Sequence, residues 1–180
     1  MQKKAVFLDR DGVLNKAIIK QGKPYPPESR EELIIMSDAY SALTKLSKAG
    51  YLLIAATNQP DVARGKTSKA WVNAVNQTLM TQLPLDDFRV CFHDDKDLCL
   101  CRKPLPGLLL DAASEHGIDL KDSFMIGDRW KDIEAGQRAG CKTIWLNHSY
   151  AEISPNPPPN YTAYTLTKAA DWIIQKNQEQ

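Results

Sequence analysis

Two carboxylates two residues apart, Asp9 and Asp11, directly follow the apolar run Ala5-Val6-Phe7-Leu8 in the segment Asp9-Arg10-Asp11-Gly12-Val13-Leu14-Asn15. The run reads as a buried strand, and in an open α/β sheet ligands bind beyond the carboxyl ends of strands. One carboxylate there can attack phosphorus while the second handles the proton of the leaving group. An acidic turn after a strand is the plain alternative, so the rest of the chain has to decide. A second run, Tyr51–Ala56, leads into Thr57-Asn58-Gln59, whose hydroxyl and amide can donate to a phosphoryl oxygen or simply form a turn. Lys103 follows a third run and can neutralise phosphate charge or stand in solvent. Asp128 follows a fourth, where it can join Asp9 around Mg²⁺, a hard cation that takes few carboxylates and keeps several waters, or cap the next helix. Asp132, one turn later, can hold Lys103 or a metal-bound water.

A second constellation is Cys91-x-His93-x₅-Cys99-x-Cys101, which runs into Arg102-Lys103-Pro104. Three sulfurs and one imidazole in so short a segment match a closed, four-coordinate structural Zn²⁺ site better than incidental thiols. Cys141 stands apart and reads as a core thiol.

These residues need a scaffold, and apolar runs alternating with helical periodicity predict parallel βαβ units. Strands are expected over 5–8, 51–56, 88–92, 123–126 and 142–146, with a short edge strand over 161–164. Helices are expected after a Ser37-Asp38 cap to Gly50, and from Thr67 or Ser68 with Trp71, Ala74, Val75, Thr78 and Leu79 on one face. Others should run from Pro106 to Gly117, from Trp130 or Lys131 to Gly140 and from Leu166 to Gln175. The proline-rich stretch 16–36 suits a flap over the strand ends, 91–103 a zinc loop, and 150–160 an extended linker. The expected fold class is α/β: a Rossmann-like three-layer α/β/α domain over 1–180 with a mainly parallel sheet, a zinc loop and no cap domain.

Composition sets the limits. Among 180 residues, 23 basic side chains nearly balance 22 acidic ones, so no overall field favours nucleic acid or a membrane surface. No apolar stretch approaches the roughly 18 residues of a membrane span. The start Met1-Gln2-Lys3-Lys4 has no signal-peptide pattern, so a cytoplasmic, monomeric protein with reduced thiols is expected.

The ordered set Asp-x-Asp, Thr-Asn, Lys and Asp at four strand ends resembles the haloacid dehalogenase superfamily of aspartate-nucleophile phosphohydrolases, over residues 5 to about 146. The resemblance implies Asp9 as nucleophile and Asp11 as general acid/base. It implies Mg²⁺ on the Asp9 carboxylate, the Asp11 carbonyl and Asp128, and a phosphoryl group held by Thr57, Asn58 and Lys103. Asn15 would orient the flap or Asp11. A second aspartate suits phosphate monoesters, whose leaving oxygen needs a proton, rather than dehalogenation. The zinc loop with Cys-Arg-Lys-Pro resembles the cap-less branch of heptose-1,7-bisphosphate 7-phosphatases and histidinol-phosphate phosphatases. Thr57-Asn58-Gln59-Pro60-Asp61-Val62-Ala63-Arg64-Gly65 is similar to the heptose enzymes, while the short zinc-loop spacing is similar to the histidinol-phosphate enzymes. The substrate expected is thus a small sugar phosphate, first of all heptose bisphosphate, with Arg64 and Arg102 available for a second phosphate or sugar hydroxyls. Arg64 could equally be a solvated helix-start residue. Histidinol phosphate is the nearest alternative; a polynucleotide 3′-phosphatase and a non-catalytic zinc-stabilised binding module are more distant ones.

Overall fold

The computed structural model describes residues 2–178. At its centre lies β1 (Lys4–Leu8), whose side chains from Ala5 to Leu8 are fully buried because both faces of the sheet are covered. On one side β1 pairs with β4 (Tyr51–Asn58) and then β5 (Asp87–Cys91); on the other it pairs with β6 (Phe124–Gly127), β7 (Lys142–Leu146) and β8 (Tyr161–Ala163). The sheet order is β5-β4-β1-β6-β7-β8, and every pairing is parallel.

Parallel neighbours need crossovers, and the helices supply them. On one face, Val6 and Leu8 pack with residues of α1 (Ala39–Lys48), α2 (Lys69–Gln82) and α5 (Leu166–Gln178). On the other, Ala5 and Phe7 pack with α3 (Gly107–His116) and with Ala139 at the end of α4 (Trp130–Ala139). This is the expected three-layer, Rossmann-like arrangement. It leaves β1 where successive connections depart to opposite sides, so a crevice opens beyond its carboxyl end.

Several boundaries differ from the sequence expectation for physical reasons. β4 continues through Thr57 and Asn58 because its ladder with β5 extends to Asn58 opposite Cys91. The third strand begins at Asp87 and the fourth at Phe124, each displaced by one residue, and α5 runs on to Gln178. α2 buries Val72, Val75, Asn76 and Leu79, whereas Ala74 is exposed. A polar residue on the inner face put the apolar pattern out of phase. Asp38 precedes α1 without capping it; its carboxylate accepts instead from Thr167 N–H (2.8 Å) and Thr167 Oγ1 (3.1 Å), tying α1 to α5.

The flap contains an antiparallel hairpin, β2 (Ile18–Lys20) and β3 (Lys23–Tyr25), that the proline content had masked. Gln21 and Gly22 turn it with φ of 53° and 74°, the left-handed pair that matches hairpin twist. Trp71 Nε1 donates to Pro27 O (3.1 Å), pinning the flap to α2. No regular element occurs between Leu146 and Tyr161, as a proline-rich linker requires. Among the described residues no helix is long and apolar enough to cross a membrane.

Candidate active site

Asp9, Thr57, Lys103, Asp128 and Asp132 converge at the carboxyl ends of β1, β4 and β6 and are nearly removed from solvent. Lys103 is the hub: its Nζ lies 2.8 Å from Asp9 Oδ1 and 2.6 Å from Asp132 Oδ1, and donates to Ala56 O (2.7 Å). All three ammonium protons therefore have acceptors. The Lys103 backbone is held from both sides by one side chain. Asn58 Nδ2 donates to Lys103 O (2.9 Å), and Lys103 N–H donates to Asn58 Oδ1 (3.0 Å). The Asn58 amide thus positions the lysine. Thr57 lines the pocket, and its oxygen accepts from Gln59 Nε2 (3.0 Å).

Asp128 is placed by β6, and neither of its buried oxygens has a hydrogen-bond partner. It does not cap α4; Asp132 does, accepting from Arg129 N–H (3.0 Å). Asp9, Asp128 and Asp132 can bring carboxylate oxygens within 4.8 Å of one another. Three buried carboxylates face a single ammonium, an arrangement that is costly unless further positive charge is present. Burial first, then the Asp132 charge, pushes Asp9 up to about 6 despite Lys103. Burial and the charges of Asp9 and Asp132 raise Asp128 well above the usual carboxylate range. Burial would lower Lys103, but Asp132 and Asp9 outweigh it and hold the ammonium charged. An all-oxygen donor set with excess negative charge and two orphaned oxygens fits a divalent hard cation. Gly12 makes the approach possible: at φ 87°, a Cβ there would stand 1.9 Å from Asp128 Oδ2.

Asp11 sits at the edge of this cluster, gripped by N–H donors. It accepts from Arg10 Nη2 (2.9 Å), Asn15 Nδ2 (3.0 Å) and Gln59 Nε2 (2.9 Å). Arg10 is itself buried, and its Nη1 donates to Asn76 Oδ1 (3.0 Å) on the inner face of α2. Asn15 also donates to Lys16 O (3.0 Å), linking Asp11 to the base of the flap. Arg10, Gln59 and Asn76 were not singled out by sequence reasoning. An arginine between two aspartates after a buried strand was a usable signal; Asn76 offered none.

Tyr150 and Glu152 were read only as part of the 150–160 linker and His148 was not singled out, yet this segment supports the site three times. His148 Nε2–H donates to Gly12 O (2.8 Å), and Tyr150 lies against Asp128, its phenol held protonated by burial and that neighbouring charge. Glu152 accepts from Arg129 Nε (2.9 Å) and Nη2.

Above the carboxylates lies a cavity of about 290 Å³. The flap supplies Lys23, Pro24, Tyr25 and Pro26, the loop after β4 supplies Asp61, Arg64 and Lys66, and the start of α4 supplies Arg129 and Lys131. Arg64 is at this rim but is engaged by Asp61 (3.3 Å) and Asp94. Arg102 lines a neighbouring recess, not this cavity, with its Nε on Asp95 Oδ1 (2.8 Å).

The sulfur cluster also assembles. Cys91 Sγ lies 3.6 Å from His93 Nδ1, 3.7 Å from Cys99 Sγ and 3.1 Å from Cys101 Sγ, while His93 Nδ1 to Cys101 Sγ is 3.3 Å. Ligands about 2.0–2.3 Å from a tetrahedral zinc would stand roughly 3.4–3.8 Å apart. The cluster could therefore bind a metal with little adjustment. All four cysteines are free thiols, and Cys141 is buried in the core as expected, its thiol pushed up to about 12 by burial.

The chain is similar to known proteins over most of its length. A HAD-hydrolase-like family model matches residues 100–169. The D-glycero-beta-D-manno-heptose-1,7-bisphosphate 7-phosphatase of Bordetella bronchiseptica is 34% identical over 151 residues, covering 79% of each chain. The D-glycero-alpha-D-manno-heptose-1,7-bisphosphate 7-phosphatase of Photorhabdus laumondii is 33% identical over 92% of this chain and 95% of its own. The crystal structure of the B. bronchiseptica D,D-heptose 1,7-bisphosphate phosphatase, complexed with magnesium and phosphate, superposes with a TM-score of 0.78 at 28% identity, covering 96% of this chain and 99% of that one. The chain belongs to the heptose-1,7-bisphosphate 7-phosphatase family of haloacid dehalogenase-like hydrolases.

Proposed function

We propose that the chain removes the 7-phosphate of D-glycero-D-manno-heptose 1,7-bisphosphate through an aspartyl-phosphate formed on Asp9. The observation that carries this reading is the buried Asp9–Lys103–Asp132 hub beside the orphaned Asp128, in a chain whose relatives bear that enzyme name. Asp9 attacks phosphorus in line and the ester oxygen departs, taking a proton from Asp11. Asp11 then accepts a proton from the water that releases phosphate from Asp9. Lys103 faces the equatorial oxygens, Thr57 donates its hydroxyl to one of them, and Asn58 keeps Lys103 in place. Asn15 holds Asp11 in register with the flap. Asp9, Asp128 and the Asp11 carbonyl would hold Mg²⁺, which offsets charge on the transferring phosphoryl group. Cys91, His93, Cys99 and Cys101 would hold a structural Zn²⁺ that shapes the loop leading into Lys103. Arg64 stands at the cavity rim where the sugar would lie, held by Asp61 and Asp94, while Arg102, on Asp95, lies outside the cavity. The enzyme works as a cytoplasmic monomer, a setting that suits its four free thiols.

The test is phosphate release in Mg²⁺ from both anomers of the heptose bisphosphate, from histidinol phosphate and from a 3′-phosphorylated oligonucleotide. The bisphosphate should give the highest kcat/KM. A higher value for histidinol phosphate would overturn the assignment and make the zinc-loop spacing the better guide.

A further inference from the structure

Three of the six cations that line the catalytic cavity are matched by carboxylates. Lys103 has Asp9 and Asp132, Arg129 has Glu152, and Arg64 has Asp61 and Asp94. Lys131 is different. It lines the same cavity and is half-buried, yet no carboxylate among the described residues comes within ion-pair reach of its Nζ. Its Nζ lies 5.5 Å from the centroid of the Trp130 ring.

The charges that face Lys131 come from three elements. Arg102 and Arg129 are of like sign; Asp95 and Glu152 are opposite but are engaged by those same two arginines. Lys131 also falls in the first turn of the ten-residue α4, where unpaired backbone N–H groups add positive potential. Burial, and then Arg102, press its ammonium downward from the usual lysine range, as expected for a cation lacking a counter-ion. Lys23 and Lys66 are unmatched too, but they are exposed, where water and salt screen them. The cavity therefore carries one buried positive group at its base, committed to the reacting phosphate, and a half-buried one on its wall with no carboxylate partner.

We propose that Lys131 is the specificity residue that binds the second, non-reacting phosphate of a sugar bisphosphate, with Arg102 behind it reinforcing the positive field. This rests on the reading of the site as a sugar-bisphosphate phosphatase and names the contact that makes it prefer a bisphosphate. An ammonium suits the role as a compact point charge that a dianionic phosphate can approach from several directions.

The experiment compares kcat/KM for heptose 1,7-bisphosphate and heptose 7-phosphate in the wild type, Lys131→Met and Lys131→Arg. The wild type should prefer the bisphosphate. In Lys131→Met, the loss on the bisphosphate should exceed the loss on the monophosphate by roughly ten- to a hundredfold, carried mainly by KM, and Lys131→Arg should restore most of it. Equal losses on both substrates, or a preference that survives Lys131→Met, would overturn the assignment while leaving the phosphatase reading intact. A wild type that cleaves the monophosphate as well as the bisphosphate overturns it as well. Failure of the wild type to release phosphate from either sugar would remove both readings together.

Discussion

Removing the cation from the carboxylate cluster should make this protein less stable as pH rises, and replacing Asp128 should relieve part of that cost. Asp9 has a pKa of about 6 in the folded chain against an ordinary 3.8. Between those values the native state keeps a proton that the unfolded state has released, so stability falls as pH increases and the cost is complete above about pH 6. At about 1.4 kcal/mol per pH unit this amounts to about 3 kcal/mol, or roughly 6–12 °C in Tm for a chain of this size. Asp128 is raised too and acts in the same direction. Asp128→Asn removes one of three crowded carboxylates and should therefore stabilise the protein in EDTA at pH 8, the opposite of the usual result for a buried site residue. It should also abolish stabilisation by added Mg²⁺, which binds the native state and offsets the same charge. Thermal and urea unfolding from pH 4 to 8, each with EDTA or Mg²⁺, would read all of this. A metal-free Asp128→Asn protein less stable than wild type at pH 8 would falsify the electrostatic account of the cluster.

Other consequences are open to simpler checks. Asp9→Asn should lose all measurable phosphate release, and Asp11→Asn should lose roughly 10²- to 10⁴-fold in kcat; near-normal turnover by the first would exclude an aspartyl-phosphate. Protein purified without chelator should contain about one zinc per chain by elemental analysis. The double variant Cys99→Ser/Cys101→Ser should lose that zinc and unfold at a lower temperature. Arg10→Met leaves Asp11 and Asn76 without their buried partner, so unfolding should show a loss of about 3–5 kcal/mol. Gly12→Ala drives a methyl group into Asp128 and should weaken Mg²⁺-induced stabilisation in a thermal titration more than it changes the metal-free Tm.

Much of the candidate site was legible because it lies in short segments whose local geometry is set by the chain itself. Apolar runs of strand length followed by Asp9, Thr57 and Asp128 placed those side chains at strand ends, and the parallel sheet then had to gather them on one side. Cys91, His93, Cys99 and Cys101 fall within one loop, so spacing was enough to group them. Asp132 followed from Asp128 by one helical turn, and its contact with Lys103 was among the foreseen outcomes.

What the sequence could not determine depends on which segments meet. Nothing local distinguishes Arg102, which turns to Asp95 outside the catalytic cavity, from Lys131, which faces into it without a counter-ion. Arg64 reads as a free cation until the fold brings Asp94 beside it. Asn76 reads as a surface residue until Arg10, 66 positions earlier, is found bonded to it. His148, Tyr150 and Glu152 sit in a stretch without periodicity, and their roles arise only because that stretch crosses back over Gly12, Asp128 and Arg129. Strand and helix pattern is a property of near neighbours, written in side-chain period and backbone preference. Charge pairing and burial are properties of distant neighbours, and only the folded chain decides which charges are neutralised and which are left to meet a substrate.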